Sequence, residues 1–196
     1  VDAGQYDLLE AFASVGGSPE TVLQDWATRY GVNRGRLLLA RSTNVVYLAL
    51  NNDRTLFHDN PQLRRAVALA IDRTEIIRQG GFLAGAPTGR LVPPLLPGAT
   101  QSPAFPQGNH DAAAARGLAA GNLRDGTAVL WAASDPVGVR RADAVQQELA
   151  QIGLNVQVQT FPRPLLTQKV AVRGAGFDLA LTGWVSLYYD PEDFLV

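Results

Sequence analysis

The sequence predicts an α/β fold whose sheet is largely parallel or mixed, and three stretches carry that prediction. The first is "TAVLWAAS", an apolar run followed by a helical segment that Asp135 and Pro136 open and Gly153 closes, and then by the strictly alternating "LNVQVQT". A strand, helix, strand succession of this length joins two parallel neighbours through a right-handed crossover. The second is "RPLLTQKVAV", a further helix, before "FDLALTGW", where Phe177, Leu179 and Leu181 alternate with Asp178, Ala180 and Thr182. The third is the β-rich "NVVYLALN", with the helical "NPQLRRAVALAIDR" after it. Alternating strands and helices of this kind place the chain in the α/β class.

Each element has its own local reason. In "SPETVLQDWATRYG" Ser18 is placed as N-cap and Pro19 at the first helical position, Gly31 is a stop, and Val22, Trp26 and Tyr30 fall four apart on one face. "RLLLARS" and "NVVYLALN", separated by Thr43 and Asn44, read as two β-rich runs, either a hairpin or two strands reaching different places. Asn60 caps the next helix with Pro61 in its first turn, and Leu63, Val67, Ala70 and Ile71 repeat at helical spacing. "TEIIRQGG" continues or restarts it until the glycines end it. The Gly- and Pro-rich "GGFLAGAPTGRLVPPLLPGATQSPAFPQGN" has no regular period, and a stretch that long is functional or packed across a surface. Asp111 caps the alanine-rich helix of "DAAAARGLAAG", and the core face of the helix after Asp135 is Ala142, Val145, Leu149 and Ile152.

Composition removes several function classes. With 46% hydrophobic residues the chain has enough apolar material for a core of its own. Its 17 basic and 18 acidic residues leave a net charge of -1, which supplies no electrostatic footprint for a nucleic acid. No run approaches the roughly 18 apolar residues of a membrane span, and "VDAGQYDLLEAF" has no basic region leading into an apolar one. There is no Cys, so thiol catalysis and Cys-type zinc sites are excluded, while an oxidising extracytoplasmic address is permitted. There is also no Met, as expected of an internal segment or a processed piece.

The chemistry-bearing residues point away from catalysis. His58 and His110, the two histidines, sit in polar turn-like settings with no nucleophile near them in sequence. No Gly-x-Ser-x-Gly elbow is present, and "GGFLAGAPTG" lacks the Gly-Lys-Ser/Thr ending of a phosphate loop. In "DPED", Asp190 reads as a cap, Pro191 as the first helical position, and Glu192 and Asp193 as first-turn acids favoured by the helix dipole rather than as a metal cage. No catalytic residue, cofactor or metal is assigned, and the chain is read as a non-enzyme. "GWVSLYY" is different, because Trp184, Leu187, Tyr188 and Tyr189 occupy a turn after a strand. Ligands of open α/β sheets sit beyond the carboxyl ends of strands, where such rings offer apolar faces with polar tips. For Trp184 the pattern serves ligand binding and core closure equally.

The run "NVVYLALNNDRTLFHDNPQLRRAVALAIDRTEII" resembles the family 5 extracellular solute-binding proteins of bacterial ATP-binding-cassette importers, which include oligopeptide-, dipeptide- and nickel-binding proteins. The resemblance rests on the strand Tyr47 to Asn51, on Phe57 with Asp59, on Arg64 with Ala66, and on Ile71, Asp72 and Arg73. "VQQELAQIGLNVQVQT" and "FDLALTGWVSLYYDPEDFL" are similar in order and spacing, and "GQYDLLEA" is similar to a strand that precedes them in that family. The resemblance implies a periplasmic-binding-protein type II-like lobe with a mixed, partly parallel sheet flanked by helices. Residues 1–43 then hold the end of a preceding lobe strand and a connecting helix, and residues 44–196 most of the third-region lobe of a clamshell. Half of the site would lie in the other lobe, so tight binding by this piece alone is not expected.

It also implies a function: capture of a small solute between two lobes outside the cytoplasm, in the periplasm or at the cell surface, either free or lipid-anchored, and delivery to a membrane permease. The peptide-binding members carry a Gly-Trp pair whose neighbouring main chain pairs with the peptide, here Gly183, Trp184 and the backbone of Val185. Three residues beyond the Trp those members have an Asp that holds the peptide's ammonium, and some have a basic residue two before the Gly. This sequence has Leu187 and Leu181. A buried ammonium left unpaired costs several kcal/mol, so the resemblance with these departures points to a neutral or amine-blocked solute, an oligosaccharide or a capped peptide. Trp184, Tyr188 and Tyr189 would stack on it. A register slipped by a few residues would put Asp190 at the anchoring position and restore free peptides. The rival reading is a regulatory or protein-contact lipoprotein on the same scaffold.

Overall fold

The computed structural model describes residues 20–81, 84–99 and 110–194. The proposed cap Ser18, Pro19 and "GQYDLLEA" lie outside them. Helix α1 spans Glu20–Tyr30 and ends at Gly31, whose φ of 68° is the left-handed conformation that stops a helix. Strand β1 is Val45–Leu50, followed by helices α2 (Pro61–Ala70), α3 (Arg73–Arg78) and α4 (Ala112–Ala119). Then come β2 (Thr127–Ala133), α5 (Pro136–Ala150), β3 (Asn155–Phe161), α6 (Arg163–Val170), β4 (Leu179–Trp184) and a 3-10 turn at Pro191–Phe194.

The four strands form one mixed sheet in the order β1-β4-β2-β3. β2 is parallel to β3 along its whole length, from Thr127↔Asn155 to Ala133↔Phe161, as the crossover through α5 requires. β1 runs antiparallel to β4, from Val45↔Trp184 to Leu50↔Leu179. β2 is buried on both faces, the reason its sequence is a continuous apolar run. One face carries Leu130, Val156, Leu179 and Leu181 under α2, α4 and α5, whose Leu63, Val67, Ala115, Val145 and Leu149 complete the main core. The other face carries Trp131, Ala133 and Ala180 under α6, through Leu166. There Trp131 packs against Phe161 at 5.3 Å and Phe177 at 5.2 Å between ring centroids, and Lys169 of α6 lies 5.1 Å above its ring.

The caps read from sequence are made. Asn60 accepts from the Leu63 N–H and donates its amide to the Leu56 and Asn122 carbonyls, so this buried side chain is fully satisfied. Asp111 accepts from Ala114 N–H, and Asp135 from Gly138 N–H. Burial acts on Asp135 in the upward direction, yet the Gly138 N–H and the Arg163 guanidinium at 2.7 Å hold its carboxyl below its ordinary range. "TEIIRQGG" is a restart: Ile71 leaves the helical region with ψ 115°, and Asp72 caps α3 by accepting from Thr74 and Glu75 N–H. The same Asp72 donates its own N–H to Glu148 Oε2 on α5 at 3.1 Å.

Three expectations are corrected. "RLLLARS" is not a strand and makes no hairpin with β1; it holds an isolated bridge between Val32 and Leu37. Asn33 satisfies the backbone there, donating its N–H to Leu37 O, its amide to Leu39 O and accepting from Leu39 N–H, while Leu38 stays 72% exposed. The apolar run has no alternation to define a buried face, so side-chain bonding wins. Second, the alternation drawn from Phe177 onward breaks before β4 begins at Leu179: Phe177 packs on the α6 face and Leu179 on the other. Third, "DPED" opens a 3-10 turn rather than an α-helix, with Asp190 Oδ1 accepting from Glu192 N–H at 2.8 Å. Among the described residues no helix is long and apolar enough to cross a membrane.

Candidate functional site

The sheet has one topological switch point. From β2 the chain crosses through α5 to β3 on one side, and from β3 it crosses through α6 to β4 on the other side of β2. In an open parallel sheet a crevice forms beyond the carboxyl ends of the two strands at which the direction reverses. Here β2 and β4 pair only at Leu130↔Leu179 and Trp131↔Ala180. Beyond Ala180, β4 parts from β2 and continues beside β1 as far as Trp184. The loop Val185 to Asp190 leaves from that end.

Every residue assigned to the site from sequence is exposed there. Trp184 is 38% exposed, Val185 44%, Leu187 80%, Tyr188 50% and Tyr189 68%, and Gly183 is exposed as well. None belongs to either core, so Trp184 does not close the interior. Gly183 has a steric task too: a Cβ at this position would stand 2.9 Å from the Val45 carbonyl oxygen of β1. The edge that the loop leaves is also lined by Val46, 44% exposed and paired with Gly183.

Four side-chain hydrogen bonds hold the loop. Ser186 Oγ donates to Thr43 Oγ1 at 2.8 Å, which ties it to the chain entering β1. The Tyr189 hydroxyl donates to the Leu95 carbonyl, bringing the Gly- and Pro-rich segment alongside. Asp193 folds back from the 3-10 turn, and its Oδ2 accepts from the Leu187 N–H at 2.7 Å and from Trp184 Nε1 at 3.2 Å. Desolvation, and then the carboxylates of Glu192, Asp193 and Asp190, raise the Tyr188 hydroxyl above its ordinary range, so at neutral pH it remains a donor.

The residues that carry the family resemblance do different work. Asn51 donates its main-chain N–H to Asp178 O and its amide to Ala175 and Phe177 carbonyls, tying the end of β1 to the start of β4. Phe57 and Ala66 are fully buried, and Arg64 donates to the Phe57 carbonyl at 2.8 Å. Buried Asp178 accepts from Val129 N–H and pairs with Arg54 at 3.2 Å. His58 bonds the Asn52 carbonyl and faces Asp59, and His110 bonds the Ala70 carbonyl at the end of α2. Two concave regions, of about 280 and 360 Å³, lie at the opposite end of the sheet, around the starts of the parallel strands. One is lined by Arg54, Arg124 and Asp178 and the other by Asn51 and Arg173. They are weaker candidates than the crevice, because neither lies beyond the carboxyl ends of the parallel strands.

A family model described as "Bacterial extracellular solute-binding proteins, family 5 Middle" matches residues 4–196. The chain belongs to that family. Family 5 relatives include the peptide transport periplasmic protein SapA of Haemophilus influenzae, 27% identical over 158 residues, 78% of this chain and 27% of the relative. A probable di/tripeptide-binding protein 5 of Pseudomonas aeruginosa is 30% identical over 158 residues, 77% of this chain and 28% of the relative. The solved murein tripeptide binding protein MppA of Escherichia coli superposes with a TM-score of 0.74 at 20% identity, over 98% of this chain and 37% of that one. The chain thus spans less than a third of the length of these two curated relatives. The fold is the periplasmic-binding-protein type II lobe that the resemblance implied, and family 5 is a family of solute-binding proteins.

Sequence reasoning about this family 5 chain missed Asp193, which it read as a first-turn acid, and Thr43, Val46 and Leu95, which border the loop. The nearest signal was an acid in a turn with no basic neighbour, on a segment already carrying exposed rings.

Proposed function

We propose that this family 5 chain supplies one wall of an extracytoplasmic solute site, in a protein that captures a small solute between two lobes and delivers it to the permease of an ABC importer. Residues 44–196 make up most of that lobe, and residues 1–43 the connection into it. The observation that carries the reading is the aromatic loop at the switch point: exposed Trp184, Tyr188 and Tyr189, held in place yet outside both cores. A monomeric surface seldom leaves three such rings together without a partner for them. The peptide-transport and di/tripeptide-binding names of the relatives support a peptide-like solute.

Leu187 narrows the class. Its side chain is 80% exposed and offers no charge, so the solute is neutral or amine-blocked, an oligosaccharide or a capped peptide, that stacks on Trp184, Tyr188 or Tyr189. Gly183 and the Val185 main chain border the crevice that would receive it.

Native mass spectrometry of the gently purified full-length protein, followed by identification of anything released, tests both levels. A released sugar or blocked peptide is the expected result. A released free-amine peptide overturns the specificity argument while leaving solute capture intact. No released molecule, together with no calorimetric binding of either trialanine or N-acetyl-trialanine, overturns solute capture by a peptide-like ligand. Leu187→Asp should raise the affinity for free trialanine about tenfold or more, by restoring a counter-charge to its ammonium.

A further inference from the structure

We infer that Asp193 is the positioning residue of the aromatic loop, a role that rests on the reading of that loop as a ligand wall. One oxygen of its carboxylate accepts from two donors on opposite sides of Ser186: the indole N–H of Trp184 at 3.2 Å and the main-chain N–H of Leu187 at 2.7 Å. A single acceptor shared in this way fixes the ring relative to the turn that carries Leu187, Tyr188 and Tyr189. The other two ties, Ser186 to Thr43 and Tyr189 to Leu95, fix where the loop lies on the fold. Neither touches the indole.

The Trp184 side chain makes no other hydrogen bond among the described residues and packs in neither core. Core packing therefore does not fix its rotamer. The bond to Asp193 orients the ring. The acceptor comes from the 3-10 turn that Asp190 caps and Pro191 opens, so the "DPED" segment acts as a bracket for the ring.

The arrangement also decides what the loop offers a ligand. The indole N–H of Trp184 and the main-chain N–H of Leu187 are already spent inside the protein. What remains is the face of the indole, the rings and hydroxyl of Tyr188, and the apolar Leu187 side chain. The loop therefore recognises a ligand group by stacking and apolar contact, not by donating these two hydrogen bonds to it.

The test uses full-length protein labelled with 5-fluorotryptophan, with the Trp184 ¹⁹F resonance assigned by its loss in Trp184→Phe. Without any ligand, Asp193→Ala should move or broaden that resonance and increase its solvent isotope shift. Asp193→Asn, whose amide oxygen still accepts, should keep it near the wild-type position. An unchanged Trp184 resonance in a folded Asp193→Ala protein overturns the positioning role, whatever the solute. Calorimetry with N-acetyl-trialanine then reads the consequence: Asp193→Ala weakens binding about tenfold, and Asp193→Asn stays within about threefold of wild type. Equal binding by wild type and Asp193→Ala overturns the claim that this ring position governs recognition. If the resonance responds but wild-type protein does not bind N-acetyl-trialanine, the capped-peptide assignment fails and the positioning role stands.

Discussion

Glu148→Gln should stabilise the protein above pH 7 and leave it nearly unchanged at pH 4. Glu148 lies on the core side of α5, 7% exposed, with Oε2 accepting from the Asp72 N–H at the start of α3. Burial pushes its carboxyl up to about 7; the Asp72 N–H opposes this, and the charges of Asp72 and Glu75 reinforce it. The folded state then holds a proton that the unfolded chain releases near pH 4.5. Because the folded value is the higher one, the associated stability is complete below about pH 4.5 and is lost as pH rises through about 7. The full interval corresponds to about 3 kcal/mol, which screening by solvent near the surface end of α3 reduces to about 1–2 kcal/mol. Glutamine keeps an acceptor for the Asp72 N–H and has no proton to lose. Paired urea unfolding curves at pH 4 and pH 8.5, at constant ionic strength, should therefore nearly coincide at the lower pH and differ by about 1–2 kcal/mol at the higher, the variant being more stable. A difference of the same size at both values would show that Glu148 contributes by packing alone, and the reasoning from its charge would fail.

Two further substitutions probe the scaffold. Gly138 passes so close to the end of β2 that an added Cβ would lie 2.3 Å from the Ala133 carbonyl oxygen, so Gly138→Ala must push α5 from the sheet. The expected loss is about 1–3 kcal/mol in a urea titration, and an unaltered midpoint would contradict the tight approach. Asp178→Ala removes the acceptor of the Val129 N–H and the partner of Arg54; about 2–4 kcal/mol should be lost, with faster amide exchange at Val129, and unaltered exchange there would sink the assignment.

Much of this architecture is legible in the chain. The unit from Thr127 to Phe161 declares itself because a buried strand, an N-cap, an amphipathic helix, a left-handed glycine and an alternating strand all agree on one answer. The same holds for Asn60 and Asp111, whose capping bonds span three residues. "RLLLARS" misleads because apolar content without alternation does not say which side is buried, and Asn33 offers its backbone a competing partner. The loop after β4 is recognised by its rings, yet the bracket that holds them is not. Asp193 has a sufficient local explanation as a turn acid, and nothing in sequence announces that it reaches back nine residues to Trp184. The parting of β4 from β2 is likewise invisible, since pairing partners are set by the sheet and not by the strand's own pattern.

The bond between Asn51 and the carbonyl of Phe177 joins residues 126 positions apart, and β1 as a whole waits for β4. At about 5–20 residues per second a ribosome delivers the partner strand roughly ten seconds after the first one, and closing so long a loop carries its own entropic cost. During that interval the backbone groups of Val45–Leu50 have no ladder, while β2, α5 and β3 can assemble as a local unit. The nascent chain thus passes through a stage with an open strand edge, and the arrival of "LALTGW" both seals that edge and delivers the aromatic loop. Completion of the sheet and placement of the aromatic loop are one and the same event.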